Sequence, residues 1–189
     1  MIIYIHGFNS SPASHKSQHL HERLTALGRA REFLCPALPH WPEQAMALLD
    51  GVVRAAPVAE TTLVGSSLGG FYATCLTEKY GVQSVLINPA ITPHEGLRTY
   101  LGPQKNLYSG EEYILTEDHL TQLARLYIAK PARMDRYLLM HTIGDELLDW
   151  RIAVDHYHGC RQVIVQGSDH GFSEFDQYSD IVLNFADGS

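Results

Sequence analysis

Gly65-Ser66-Ser67-Leu68-Gly69 reads G-x-S-x-G, a pattern whose meaning depends on what flanks it. Here an apolar run, Thr61 to Val64, precedes it, and a segment of helical period from Leu68 to Tyr80 follows. That is the strand-turn-helix setting in which a serine is thrust out above a sheet on strained backbone. Gly65 and Gly69 are expected because a Cβ at either position would collide across so tight a turn. The following helix aims its positive end at the hydroxyl and favours negative charge there. Ser67, at the centre of the pattern, is the expected nucleophile, with Ser66 as the neighbouring alternative.

A serine hydroxyl attacks poorly unless a base takes its proton. The chain has eleven histidines, so position has to choose among them. His170 lies in Gly167-Ser168-Asp169-His170-Gly171-Phe172, directly after an apolar run from Gln162 to Gln166. In a parallel sheet, loops after strands open on the carboxyl edge, where Ser67 would also sit. His15, His19 and His21 read as helix-surface residues, and His156 and His158 fall near a helix end. His15 and His19 are one turn apart, but no carboxylate or thiol set near them in sequence completes a metal site.

The base in turn needs a buried acceptor to fix its tautomer. Asp145 follows the strand candidate Tyr137 to Thr142 and is preferred to Glu146. Asp149 reads instead as the N-cap of the next helix. Ser67, Asp145 and His170 then run in the order Ser, Asp, His. Acyl transfer also needs preset donors for an oxyanion. The backbone N–H of Leu68 is one, and that of Phe8, in the loop His6-Gly7-Phe8-Asn9, is the other. His6 itself reads as a structural hydrogen-bonding residue.

The elements that must position these groups alternate along the chain. Strands are expected at Ile2 to Ile5, more weakly at Arg31 to Cys35, then at Thr61 to Val64, Gln83 to Ile87, Tyr137 to Thr142 and Gln162 to Gln166. Helices are expected at His15 to Leu27 with Gly28 after it, Pro42 to about Ala56, Leu68 to Tyr80, about Asp149 to His158, and about Glu174 to Phe185. Alternation of this kind implies a parallel sheet covered on both faces. Ile91 to Arg136 breaks it, with two expected helices and no clear strand. Thr92-Pro93-His94-Glu95 resembles a capping box opening the first, and Thr116-Glu117-Asp118 opens the second. A Gly- and Pro-punctuated loop, Gly102 to Glu112, lies between them. The chain is therefore expected to be a single domain, 1–189, with a cap insertion at about 91–136. Tyr100, Leu101, Tyr108, Tyr113 and Ile114 are candidates to line an apolar pocket there, or to pack the cap onto the sheet.

Composition bounds the function. The 189 residues carry a formal net charge of -7, which argues against nucleic acid as a main partner. Three cysteines, Cys35, Cys75 and Cys160, give neither a disulfide framework nor a zinc pattern. The first residues already read as a strand with no basic leader, and no apolar run approaches the ~20 residues of a membrane span. The cytoplasm is the simplest compartment. No metal and no organic cofactor is called for, and a monomer or small homo-oligomer is expected.

Five stretches in order resemble the YqiA-like esterases, a family of short bacterial α/β-hydrolases: Ile5-His6-Gly7-Phe8-Asn9-Ser10-Ser11-Pro12, Val64 to Ala73, Leu86-Ile87-Asn88-Pro89-Ala90, Gly144 to Asp149, and Gly167 to Phe172. The resemblance implies an α/β-hydrolase fold with a six-stranded, mostly parallel sheet, helices on both faces and a small helical cap. It implies hydrolysis of carboxyl esters or acyl-CoA-like thioesters, with Ser67, Asp145 and His170 as the triad. A ligand-binding or interaction protein on the same scaffold is the competing class, because fold does not fix function. Cleavage of peptide or carbon–carbon bonds is the competing chemistry.

Overall fold

A strand covered on both faces needs apolar side chains on both, and Ile2–Ile5 supplies four in a row, all buried. In the computed structural model, which describes residues 1–188, this run is β1. The other strands are β2 (Phe33–Leu34), β3 (Thr62–Ser66), β4 (Gln83–Ile87), β5 (Gly102–Lys105), β6 (Glu112–Leu115), β7 (Tyr137–Thr142) and β8 (Arg161–Val165). The helices are α1 (His15–Ala26), α2 (Pro42–Ala55), α3 (Leu68–Tyr80), α4 (Pro93–Gly96), α5 (Glu117–Leu126), α6 (Trp150–His156) and α7 (Ser179–Ala186).

Six strands form one sheet in the order β2-β1-β3-β4-β7-β8, and every neighbouring pair is parallel. The side-chain period of two then sorts each strand between two cores. Ile3, Ile5, Leu63, Leu86 and Leu139 face α2, α3 and α6. Ile2, Tyr4, Val64, Val85 and Met140 face α1 and α7. The strand order reverses between β1 and β3, so the loops after those strands diverge and leave a crevice at the carboxyl edge.

α3 runs through the middle of the first core, with Gly69 to Thr77 all buried. Gly81 closes it in the left-handed conformation, φ 72°. Pro42 opens α2 at its first turn, and Asp149 caps α6 by accepting the N–H of Arg151 at 3.0 Å.

The structure departs from the sequence expectations in several places. β2 is only two residues long, because a 3₁₀ turn at Ala30–Glu32 takes up the start of its expected range. The last strand begins at Arg161 and stops at Val165. The final helix is preceded by a separate 3₁₀ turn, Phe175–Gln177. Between β4 and β7, the expected loop is an antiparallel hairpin, with Gly102 opposite Leu115 and Lys105 opposite Glu112. Thr92 makes no side-chain cap; its carbonyl alone takes part, receiving the N–H groups of Glu95 and Gly96. Thr116 does cap, sharing a reciprocal pair with His119 across α5's first turn.

Candidate active site

Ser67 stands between β3 and α3 with φ 55° and ψ −120°, a region that costs a non-glycine residue ~1–3 kcal/mol. Three backbone bonds hold it there. Its N–H donates to Ile87 O at 3.0 Å, and its carbonyl accepts from Gly70 N at 2.9 Å and Ala90 N at 3.1 Å. Gly65 is required across the turn, since a Cβ there would lie 2.4 Å from Gly69 O. Gly69 answers to a different neighbour than expected, because its Cβ would sit 1.9 Å from the carbonyl oxygen of Ile5 in β1. Ser66 is buried as the last residue of β3, so Ser67 alone of the two faces the crevice.

His170 arrives from the loop after β8 and places Nε2 3.1 Å from Ser67 Oγ. Its Nδ1 is 2.9 Å from Asp145 Oδ2. Asp145 sits after β7, its side chain wholly buried. Its Oδ1 accepts the N–H groups of Leu147 at 2.9 Å and Leu148 at 2.8 Å. Burial pushes this carboxyl up, but the His170 hydrogen bond and charge and the Leu148 and Leu147 amides outweigh it and hold it below its ordinary range. An ionised Asp145 accepts Nδ1–H from His170, which leaves Nε2 free to take the serine proton.

Two glycines do the positioning: Gly7, expected from its place after the first strand to allow close backbone approach, and Gly144, for which the sequence raised no such expectation. Gly144 lets the loops after β7 and β8 touch, since a Cβ there would meet Ser168 O at 2.2 Å. Gly144 N bonds to Gly167 O at 3.0 Å and Ile143 N to Val165 O at 2.9 Å, so Asp145 and His170 are carried on zipped loops. Gly7 lets the loop after β1 pass over the serine, because its Cβ would lie 3.2 Å from Ser67 Cβ. For Gly144 the available signal was a glycine two residues past the end of β7, the same placement as Gly7 after β1.

The Glu146 carboxylate reaches the His170 backbone N–H at 3.0 Å, not its ring. Asp149 is occupied with the α6 cap. His6 Nε2 accepts Leu38 N–H at 3.1 Å and its Nδ1 faces Gly7 O, which ties the β1 loop to the segment after β2. Fold, not sequence, gives His15 and His19 a carboxylate: both face Asp176 Oδ1, at 3.4 and 3.2 Å. Both nitrogens converge on one oxygen, and His19 Nε2 is taken by Ser179 at 3.0 Å. Among the described residues no group of three or more His, Cys, Asp or Glu is arranged to hold a metal ion.

Ser67 and His170 open into a cleft of about 320 Å³. Ala90, Ile91, Leu97, Tyr100, Leu148 and Ile152 give it an apolar wall. Phe8 and Leu68 line it beside Ser67, and their backbone N–H groups have no acceptor among the described residues. Of the residues expected to form an apolar pocket, Tyr100 lines this cleft, while Tyr113 lies on the far side of Phe8 in a smaller polar recess. Leu101, Tyr108 and Ile114 are exposed and line neither. The sequence placed a loop here between two helices; in the hairpin that forms instead, alternation along β6 puts Ile114 on the exposed face.

The sequence profile of UPF0227, described as an uncharacterised protein family, matches residues 1–187. A UPF0227 protein of Serratia proteamaculans (strain 568) is 25% identical over 165 residues, spanning 87% of this chain and 86% of its own. One from Shewanella woodyi (strain ATCC 51908 / MS32) is 30% identical over 101 residues, 51% of this chain and 55% of its own. Among solved structures, alpha/beta hydrolase domain-containing protein 10 from mouse superposes with a TM-score of 0.76 at 16% identity, over 99% of this chain and 89% of that one. Est1E from Butyrivibrio proteoclasticus gives 0.74 at 17% identity, over 100% and 88%. The fold is the α/β-hydrolase fold. No helix among the described residues is long and apolar enough to cross a membrane.

Proposed function

The chain belongs to the UPF0227 family, and from that footing we propose that it is a serine hydrolase of carboxyl esters or acyl thioesters, with Ser67 as nucleophile. The observation that carries this reading is the unbroken relay from Ser67 Oγ to His170 Nε2 at 3.1 Å and from His170 Nδ1 to Asp145 at 2.9 Å. The strained backbone of Ser67 and the apolar cleft beside it support the same reading. So does a structural neighbour that is itself described as an esterase domain, from a Rhodothermus marinus protein.

The acyl group lies against Ala90, Ile91, Leu97 and Ile152, with its carbonyl carbon above Ser67 Oγ. His170 Nε2 takes the hydroxyl proton as Oγ bonds to that carbon. The carbonyl oxygen, now an oxyanion, is held by the N–H groups of Phe8 and Leu68. Collapse breaks the bond to the alcohol or thiol, which leaves with the proton from Nε2. Water then gives a proton to His170 and its oxygen to the acyl carbon, releasing the acid and restoring Ser67. Asp145 stabilises the imidazolium in both halves without accepting the proton. The segment from Ile91 to Arg136 acts as the cap over the cleft, through the turn that carries Leu97 and Tyr100.

The test is a chain-length panel of p-nitrophenyl esters beside acyl-CoA thioesters, with Ser67→Ala as control. Turnover of at least one substrate series that the variant lacks is expected; equal turnover by the variant would remove Ser67 as nucleophile.

A further inference from the structure

The loop that carries His170 has no sheet partner of its own. Its backbone turns through positive φ at Gly167 (72°), Ser168 (62°) and Phe172 (56°). Beyond the backbone bond from Gly144 N to Gly167 O, side chains from other elements hold it. Asn88, just past β4, donates Nδ2–H to Asp169 O at 3.2 Å and to His170 O at 3.0 Å. Thr142, at the end of β7, donates its hydroxyl to Asp169 O at 2.9 Å and its backbone N–H to Asn88 Oδ1 at 2.9 Å. With its one proton spent on Asp169 O, the Thr142 hydroxyl accepts from Asn88 Nδ2 at 3.2 Å. Asn88 and Thr142 are both fully buried.

We propose that Asn88 is a positioning residue for His170: its carboxamide fixes the histidine backbone, and with it the reach of Nε2 to Ser67. The proposal rests on the serine-hydrolase reading for its kinetic consequences but not for its geometry. A carboxamide is the required group because it must accept from Thr142 on one side and donate to two carbonyls on the other. A carboxylate of the same shape would set a buried negative oxygen against both carbonyls. Lys16 and Glu146 also touch this loop, at Gly171 O (2.5 Å) and His170 N (3.0 Å), but Glu146 is exposed and Lys16 partly so. Among the described residues, Asn88 alone reaches the His170 carbonyl from the buried side.

Asn88 also has a backbone role, since its φ of 42° turns the chain after β4 and its N–H bonds to Met140 O at 2.9 Å. Two substitutions separate the roles. Asn88→Gly keeps the left-handed backbone and deletes the carboxamide; Asn88→Asp keeps backbone and shape and deletes the donor.

Both variants are expected to lower kcat on p-nitrophenyl butyrate about 10- to 100-fold, the scale of a misplaced catalytic group, with KM within about twofold. In a His170→Ala background, Asn88→Gly should add no further loss, because Asn88 acts through His170. Wild-type kcat in folded Asn88→Gly, or a full additional loss in the double variant, would overturn the proposal. Should both Asn88 variants fail to fold, Thr142→Val, which removes the hydroxyl bonds to the same loop, is expected to show a smaller kcat loss with KM kept. Unchanged kcat there would count against the clamp. If wild-type protein hydrolyses nothing, the hydrolase reading fails separately. The proton NMR signal of His170 Nδ1–H then decides for Asn88: present in wild type and lost or exchange-broadened in Asn88→Gly, or unaffected and the clamp is refuted.

Discussion

Gly69 of α3 lies against Ile5 of β1 so closely that a Cβ on the glycine would come within 1.9 Å of the Ile5 carbonyl oxygen. Helix and strand are thus in backbone contact beneath the serine turn, and neither has room to give. Gly69→Ala is expected to destabilise the fold by about 3 kcal/mol or more, beyond the usual overpacking range, because the clash is with backbone. Urea unfolding should show the midpoint fall; a midpoint within error of wild type would contradict this packing.

Gly7→Ala should behave differently. Its Cβ would press at 3.2 Å on Ser67 Cβ and on Ser66 O, a contact that a small shift of the loop relieves. Such a shift moves the Phe8 amide relative to Ser67. Stability should change by less than about 1 kcal/mol while kcat drops at least tenfold. Comparing the unfolding midpoint with steady-state kinetics on one ester separates the two effects.

Tyr113 of β6 donates its hydroxyl to Asn9 Oδ1 at 2.8 Å, and Gln104 of β5 accepts from Asn9 Nδ2 at 3.0 Å. Asn9 follows Phe8 and holds a positive φ of 50°. The hairpin therefore braces the loop that carries the Phe8 amide. Burial pushes the Tyr113 hydroxyl up to about 12, so it stays a donor through any assay pH below that. Tyr113→Phe is expected to lower kcat about three- to tenfold with little change in KM; a loss confined to KM would mean the hairpin contacts substrate instead.

His141 of β7 is fully buried, with Nδ1 3.0 Å from Thr142 O and Nε2 without a hydrogen-bond partner among the described residues. Burial holds its pKa below the ordinary value, and burial does the same for His6 and His119. The unfolded chain protonates these rings near ~6.5 and the folded chain resists it, so stability is complete above that pH and falls as pH drops through the lower folded values. Asp145 adds a second loss in the same direction at more acidic pH, below ~3.9, as its depressed carboxyl is protonated. Thermal unfolding between pH 8 and 5 should show a plateau and then a decline, and His141→Gln should flatten part of that decline. An identical slope in the variant would assign the acid lability elsewhere.

How much of this was legible in the sequence depended on how local the cause was. β1, α3, β4 and β7 announce themselves, because each is a continuous buried run or ends on a residue such as Gly81 whose conformation stops it. The order Ser67, Asp145, His170 was legible because each follows a strand of one parallel sheet. The β5–β6 hairpin was not: Gly102-Pro103-Gln104-Lys105 looks like a loop, and its strand pairs only with β6. Nor could spacing reveal that Gly69 answers to Ile5, that Gly144 answers to Ser168, or that Asn88 reaches the histidine loop. Those contacts join residues far apart in the chain, and only the sheet order brings them together.

The central claim is that Ser67 Oγ is made nucleophilic by His170. Wild-type protein treated with a fluorophosphonate, digested and read by mass spectrometry, should carry one adduct, on the peptide containing Ser67. The adduct should be absent in Ser67→Ala and form at least a hundredfold more slowly in His170→Ala. Labelling at another residue, or at Ser67 with equal speed in His170→Ala, would contradict it.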